Sequence, residues 1–208
     1  MSSINYLSMD LGKENLGFAI ITINIMDNDN PEIDARDTVG LRPDVAKATL
    51  KFGTKRLFYD LFSIDSTMKT KNFKAKYKNY PMSLSRPRVL CDFLTNLNEI
   101  YKFNKIIVEK QVVNNVVAMM LESMIVMFAM DHQIEIEVFD PKRKFENVTY
   151  NSKAKEHKKI VVTMARNIMK EYTCDSDRFE TFPKKDDISD AIVMCHMVAK
   201  NDISKAYV

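Results

Sequence analysis

Ile4-Asn5-Tyr6-Leu7-Ser8-Met9-Asp10-Leu11-Gly12 decides the reading of this chain. An apolar strand closes on a carboxylate, Asp10, and Gly12 then lets the backbone turn sharply. A second apolar run, Ile106-Ile107-Val108, closes the same way on Glu109. A carboxylate there is costly inside a sheet unless it is paired or metal-bound, and strand ends are where α/β sheets place their chemistry. Near the C-terminus Asp187 and Asp190 lie three apart, on one face of a helix whose apolar side is Ile188, Ala191, Ile192, Cys195 and Ala199. Each acid alone has an ordinary reading: a turn aspartate, a strand-end glutamate paired with Lys110, helix-start acids that suit the dipole, with Asp186 as a cap. Together, four hard oxygen donors suit one or two magnesium ions. Two such ions activate water and stabilise the leaving oxygen in phosphodiester cleavage, so the set points to a metal-dependent nuclease.

Composition bounds the rest. The 208 residues are 46% hydrophobic, enough for one sizeable domain over 1–208. A net charge of +3 identifies no partner by itself. Cys91, Cys174 and Cys195 have no paired spacing, so free thiols in a reducing, intracellular compartment are expected. The first residues run straight into a strand, with no signal or transit peptide in view, which disfavours a mitochondrion; a cytoplasmic replication site is expected if the source is viral. No Ser/His/Asp or Cys/His nucleophile pattern and no glycine-rich phosphate loop is evident, and His132, His157 and His196 are scattered, His196 at the exposed edge of the last helix.

Strands are expected at 4–10, 17–25, 56–64, 105–109 and 134–139, and helices at 84–102, 113–131, 153–172 and 187–201. Strands joined through helices imply a partly parallel sheet. Fifteen of the nineteen residues from Val112 to Met130 are apolar. Asn114, Asn115, Glu122 and Ser123 interrupt the run, which therefore reads as a helix buried nearly all round rather than a membrane span. A dimer interface would cover its second face, with Met120, Met124 and Met127 as candidates.

Residues 40–80 read as a basic insertion or long loop. Nine lysines or arginines fall between Lys47 and Lys78, against Asp60 and Asp65 alone. Phe73, Tyr77 and Tyr80 are interleaved with Lys69, Lys71, Lys74, Lys76 and Lys78, as in an arm that neutralises phosphates and stacks on bases; a solvated basic loop is the other reading. A second cluster, Lys142, Arg143, Lys144, Lys153, Lys155, Lys158 and Lys159, is either a further DNA contact or a solvated helix start.

Met9-Asp10-Leu11-Gly12-Lys13-Glu14-Asn15, Val108-Glu109-Lys110-Gln111, Val138-Phe139-Asp140-Pro141 and Lys185-Asp186-Asp187-Ile188-Ser189-Asp190-Ala191 occur in this order across about residues 4–200. In this the chain resembles the RuvC-like Holliday junction resolvases, closest to the poxvirus-type and mitochondrial branch. The resemblance implies a ribonuclease H-like α/β fold with a mixed five-stranded sheet flanked by helices. It implies that Asp10, Glu109, Asp187 and Asp190 bind two Mg2+ ions, with Mn2+ able to substitute. It further implies a homodimer that resolves four-way DNA junctions by paired symmetric nicks, leaving 5′-phosphate and 3′-hydroxyl ends, and no membrane partner. The second basic cluster approaches the scissile phosphate in this scheme, and Lys158 is the expected catalytic lysine. The basic segment at 47–78 reads as longer than in compact relatives of that family. Two alternatives stand beside it. A ribonuclease H acting on RNA–DNA hybrids would carry its essential glutamate on the first helix, where only Asp92 and Glu99 are available. A non-catalytic junction-binding protein would gain nothing from concentrating negative charge near phosphates.

Overall fold

A computed structural model of the chain describes residues 2–12, 15–26, 51–76, 85–112, 114–146 and 154–206. Five strands, β1 (Ser2–Leu11), β2 (Asn15–Met26), β3 (Lys51–Ser63), β4 (Lys105–Glu109) and β5 (Glu135–Phe139), form one sheet in the order β3-β2-β1-β4-β5. β2 is antiparallel to β1 and β3, while β1, β4 and β5 are parallel. This is the expected mixed sheet. The helices are α1 (Ile64–Lys69), α2 (Lys71–Lys76), α3 (Ser85–Tyr101), α4 (Val116–Asp131), α5 (Ala154–Met169), α6 (Ser176–Thr181) and α7 (Lys185–Ala206), with a 3-10 turn at Pro141–Phe145.

The pleat divides the core in two. Leu7, Met9, Leu16, Phe18, Ile20, Ile106 and Val108 pack with α3 and α4, through Leu90, Leu94, Leu121 and Ile125. Tyr6, Ala19, Ile21, Ile107 and Phe139 pack on the other side with α5 and α7, through Val161, Ala165, Ile188, Ala191, Ile192 and Cys195. Alternating side chains of each strand thus serve both layers, as a sheet covered on two faces requires.

Two helices exchange the burial that their sequences imply. α7 is buried from Ile188 to His196 at every position but Asp190, which is partly exposed, because the helix lies between the sheet and α5. His196 is accordingly not at an exposed edge: it is buried, and its Nδ1 lies 2.9 Å from the Tyr172 hydroxyl. α4, expected to be buried nearly all round, buries only Ala118, Leu121, Ile125, Phe128 and Ala129. Val116, Met119, Met127 and Met130 form a solvent-facing stripe, with Val116 75% and Met127 59% exposed. Met120 and Met124 are partly buried and pack in part against the core. No helix among the described residues is long and apolar enough to cross a membrane.

The 40–80 segment is not a loop throughout. Residues 51–76 form β3, α1 and α2, and Leu57 and Tyr59 enter the core. Lys78, Tyr77 and Tyr80 lie outside the described residues, as do Lys13, Glu14 and Lys153.

Gly17 sets the position of α7. It faces Asp10 across the β1–β2 ladder, and a Cβ added there would lie 2.3 Å from the Asp187 carbonyl oxygen. Only a residue without a side chain allows β2 this close to the first turn of α7. Gly17→Ala is expected to destabilise the protein by about 1–3 kcal/mol, as overpacking usually does, and to disturb Asp187 more than the distant Lys105. Chemical denaturation checks the first expectation; an unchanged midpoint would show that α7 has room to shift.

Candidate active site

Asp10, Glu109 and the first turns of α7 meet at one edge of the sheet. Parallel pairing of β1 with β4, through Met9 opposite Val108, brings the ends of both strands level. Asp10 and Glu109 occupy alternate positions with Ser8 and Ile107, so both face the α7 layer. α7 starts at that edge, held by Gly17, and ends beside the beginning of β4, where Lys105 Nζ is 2.7 Å from Asp202 Oδ2. Asp190 therefore meets Glu109 across Lys144, while the backbone of Asp187 lies against Gly17, opposite Asp10.

Lys144 stands in the centre of this group. Its ammonium donates to Glu109 Oε1 at 2.6 Å and also to Asp190 Oδ1, and only 4% of the residue is exposed. The Pro141–Phe145 turn delivers it. Asp140, directly after β5, accepts from the Lys142 amide at 2.9 Å and caps the turn, which folds Lys144 back over the strand ends. The sequence places Lys144 in a run of three basic residues, which reads as solvent-facing. What could have singled it out is the tight turn that Asp140-Pro141 starts after an edge strand.

Electrostatics follow from crowding. Burial raises the Asp10 carboxyl well above its ordinary range, and the neighbouring Glu109 and Asp190 charges push it further. Burial likewise raises Asp187, with Asp186 adding to the effect. Asp190 is raised by burial too, against the opposing attraction of Lys144. Burial disfavours the Lys144 ammonium, but Asp190 and Glu109 outweigh it and raise its pKa. Buried like charges shift one another in this direction wherever carboxylates share a site.

The other predicted residues separate. Lys158 does not reach the Glu109–Asp190 pair: exposed, it pairs with Asp186 in the first turn of α7, and that bond raises its pKa. The lysine inside the site is Lys144. Arg143 turns away, bonding Glu137 at 2.6 Å with its guanidinium 4.5 Å from the Phe139 ring centre. Lys142 and Lys159 are exposed, and Lys155 lies in the first turn of α5. Lys69, Lys71, Lys74 and Lys76 are exposed on α1 and α2, with Lys76 bonded to Asp92 at 3.1 Å. A groove of about 510 Å³ between α5 and the start of α7 gathers Lys158, Lys159, Arg166 and Lys185 beside Thr163 and Asp186. Arg166 and Lys185 are not among the expected contacts: Arg166, bonded to Glu180 at 2.7 Å, stands apart from both basic clusters, and Lys184-Lys185 runs into an acidic motif.

Among the described residues no three ligating side chains form a ready-made metal cage. The donor set is nonetheless the right chemistry for a hard divalent cation: carboxylate oxygens from three segments, already gathered around a cation, the Lys144 ammonium. Ser8, one pleat before Asp10, adds a fully buried hydroxyl without a hydrogen-bond partner.

Residues 46–201 match the family model of the poxvirus A22 protein. The chain belongs to that family. No curated protein matches it by sequence. Among solved structures it is similar to fowlpox virus resolvase in complex with Holliday junction DNA, at 17% identity and a TM-score of 0.59, over 96% of this chain and 99% of that one. It is similar to Thermus thermophilus RuvC bound to a Holliday junction substrate, at 10% identity and a TM-score of 0.58, over 98% of both chains. The yeast mitochondrial Holliday junction resolvase matches at 12% identity and a TM-score of 0.50, over 98% of this chain and 86% of that one. The fold of this A22 family member is therefore the RuvC-like, ribonuclease H-type fold that the four motifs imply.

Proposed function

We propose that this A22 family protein is a Holliday junction resolvase, an endonuclease that makes paired symmetric nicks in four-way DNA junctions. One observation supports the reading: Asp10, Glu109 and Asp190 meet at one edge of a sheet whose fold is shared with junction resolvases, with Asp187 one turn earlier on the same helix as Asp190. Those four carboxylates would hold two Mg2+ ions, or Mn2+ in their place, which supply an activated water and stabilise the leaving oxygen. The chain's own contribution is to gather the donors, exclude bulk water from Asp10 and Asp190, and bring positive charge to the edge where the phosphate arrives. The products are a 5′-phosphate and a 3′-hydroxyl.

The basic surfaces favour DNA at this edge. β3 ends there, since Ser63 pairs with Asn15 at the start of β2, so the lysines of α1 and α2 leave the sheet on the carboxylate side. The groove of Lys158, Lys159, Arg166 and Lys185 includes Asp186, the residue before Asp187, on the other side. Phosphates on both flanks of the scissile bond then meet lysine or arginine. The hybrid-cleaving alternative fits less well. α3, which carries Asp92 and Glu99, packs on the opposite face of the sheet from α7, and Asp92 pairs with Lys76 and Arg88.

Two nicks related by symmetry call for two active sites, which a twofold dimer supplies. The stripe of Val116, Met119, Met127 and Met130 is the apolar surface available for it.

Three outcomes test the reading. Asp10→Asn, Glu109→Gln, Asp187→Asn and Asp190→Asn are each expected to slow nicking of a synthetic four-way junction in Mg2+ by at least about 100-fold, with junction binding retained. Wild-type rates in two of them would remove the site. Lys159→Ala with Arg166→Ala and Lys185→Ala is expected to weaken junction binding and to lower the slope of log affinity against log salt by about 2; an unchanged slope would put the DNA elsewhere. Met127→Asp places a charge on the proposed interface while leaving the folded monomer exposed there. Light scattering is expected to give twice the 24.1 kDa chain mass for wild type and a single chain for the variant; a wild-type monomer, unchanged by junction DNA, would remove the dimer.

A further inference from the structure

We propose that the Lys144 ammonium is an exchangeable internal cation: it holds Glu109 and Asp190 together in the metal-free protein and withdraws when a divalent ion takes those carboxylates. The inference rests on reading the four carboxylates as metal ligands. It goes beyond that reading by making Lys144 a positioning residue that competes with the metal.

The geometry makes the two cations mutually exclusive. Lys144 Nζ lies 2.6 Å from Glu109 Oε1 and is bonded as well to Asp190 Oδ1. An ion bridging the same carboxylates would use the same lone pairs at metal–oxygen distances of about 2.0–2.1 Å. It would stand nearly where the ammonium stands, and two positive charges at such contact repel strongly in a buried site. The arrangement also accounts for the lack of a ready-made cage among the described residues: the carboxylates are drawn to an ammonium, and ammonium–carboxylate spacing is wider than metal–carboxylate spacing.

The need for an internal cation is equally physical. Asp10, Glu109 and Asp190 are each partly buried at one sheet edge, and Glu109 and Asp190 converge on the Lys144 ammonium. Removing every cation from such a group leaves uncompensated buried charge. Lys144 supplies the compensation until a metal does. Its mounting permits withdrawal. The residue sits on a five-residue 3-10 turn rather than on a core strand or long helix. Its four-carbon stem can swing by rotamer changes alone, and Lys142, two residues earlier, already faces solvent. Lys105 offers the contrast. It is also buried against acids, but these are Glu135 and Asp202, which lie outside the carboxylate site, so a metal at that site does not compete for them.

Two measurements on the full chain test the exchange. Reductive methylation with formaldehyde and cyanoborohydride, read by mass spectrometry, reports whether each lysine amine is accessible. Lys144 is expected to be protected without metal and to react several-fold faster in saturating Mg2+, while Lys105 stays protected in both. Titration of Mn2+, followed by the electron paramagnetic resonance of the free ion, is expected to show Lys144→Gln binding at least about tenfold tighter than wild type. Lys144→Arg, which keeps the charge, is expected to stay near wild type. Mn2+ binding with Lys144 still protected, or no tighter in Lys144→Gln, would overturn the exchange and leave the metal site standing. No Mn2+ binding by wild type at all would remove the metal site and the exchange with it. The methylation experiment needs only wild-type protein, so a Lys144→Gln chain that fails to fold does not spare the proposal.

Discussion

Three partly buried carboxylates crowded at one sheet edge are the constraint on which the rest of this structure depends. A core of isoleucine, leucine and methionine stabilises the fold through burial alone. Asp10, Glu109 and Asp190 oppose it, because each charge is taken from water and set beside others of the same sign. The chain does not relieve the conflict by moving the acids to solvent. It brings a lysine to them on a short turn and closes the edge with the first turns of a buried helix. A set of residues held at such a cost to stability is the mark of a functional site rather than of a structural one.

α7 turns that local conflict into a position. Its contacts run the length of the sheet, from Gly17 beside Asp187 to Lys105 bonded to Asp202. The helix is thus fixed at both ends by unlike devices, close backbone approach at one and a buried ion pair at the other. Between them Ile188, Ala191, Ile192 and Cys195 fill the layer against Ala19, Ile21 and Ile107. The two acids cannot slide along the strands without breaking one of these contacts. Positioning of this kind, set by packing away from the reacting atoms, is what catalysis by oriented groups requires.

Much of this was legible in the sequence, and the failures share a cause. Strand 105–109 agrees with β4 to the residue, and 84–102 with α3 to within one, because apolar runs and helical spacing state them directly. The four carboxylates could be picked out because each ends a strand or begins a helix. Side-chain surroundings were less readable. The apolar content of α4 implies burial on every side, yet apolar content does not say what covers a face, and one face of α4 is bare in the single chain. In α7 the polar residues Ser189 and His196 are buried with partners: Ser189 donates to the Lys185 carbonyl at 2.6 Å and His196 meets Tyr172. Lys144 was hidden by Lys142 and Arg143. α1, α2, α6 and the Pro141 turn are too short to show a period at all.

The lysines divide by how they are mounted, and the division explains why composition alone could not rank them. Lys158 sits on a long amphipathic helix, with its amine in solvent and an acid, Asp186, across the groove. That is a surface ion pair, screened by salt and weak in stability, but free to trade Asp186 for a phosphate. Lys144 sits on a turn and points inward, where every partner is a carboxylate of the site and salt does not reach. Charge counted along the sequence treats the two as equal. Burial separates them: an exposed cation adds to attraction at long range, whereas a buried one governs which ions the site accepts.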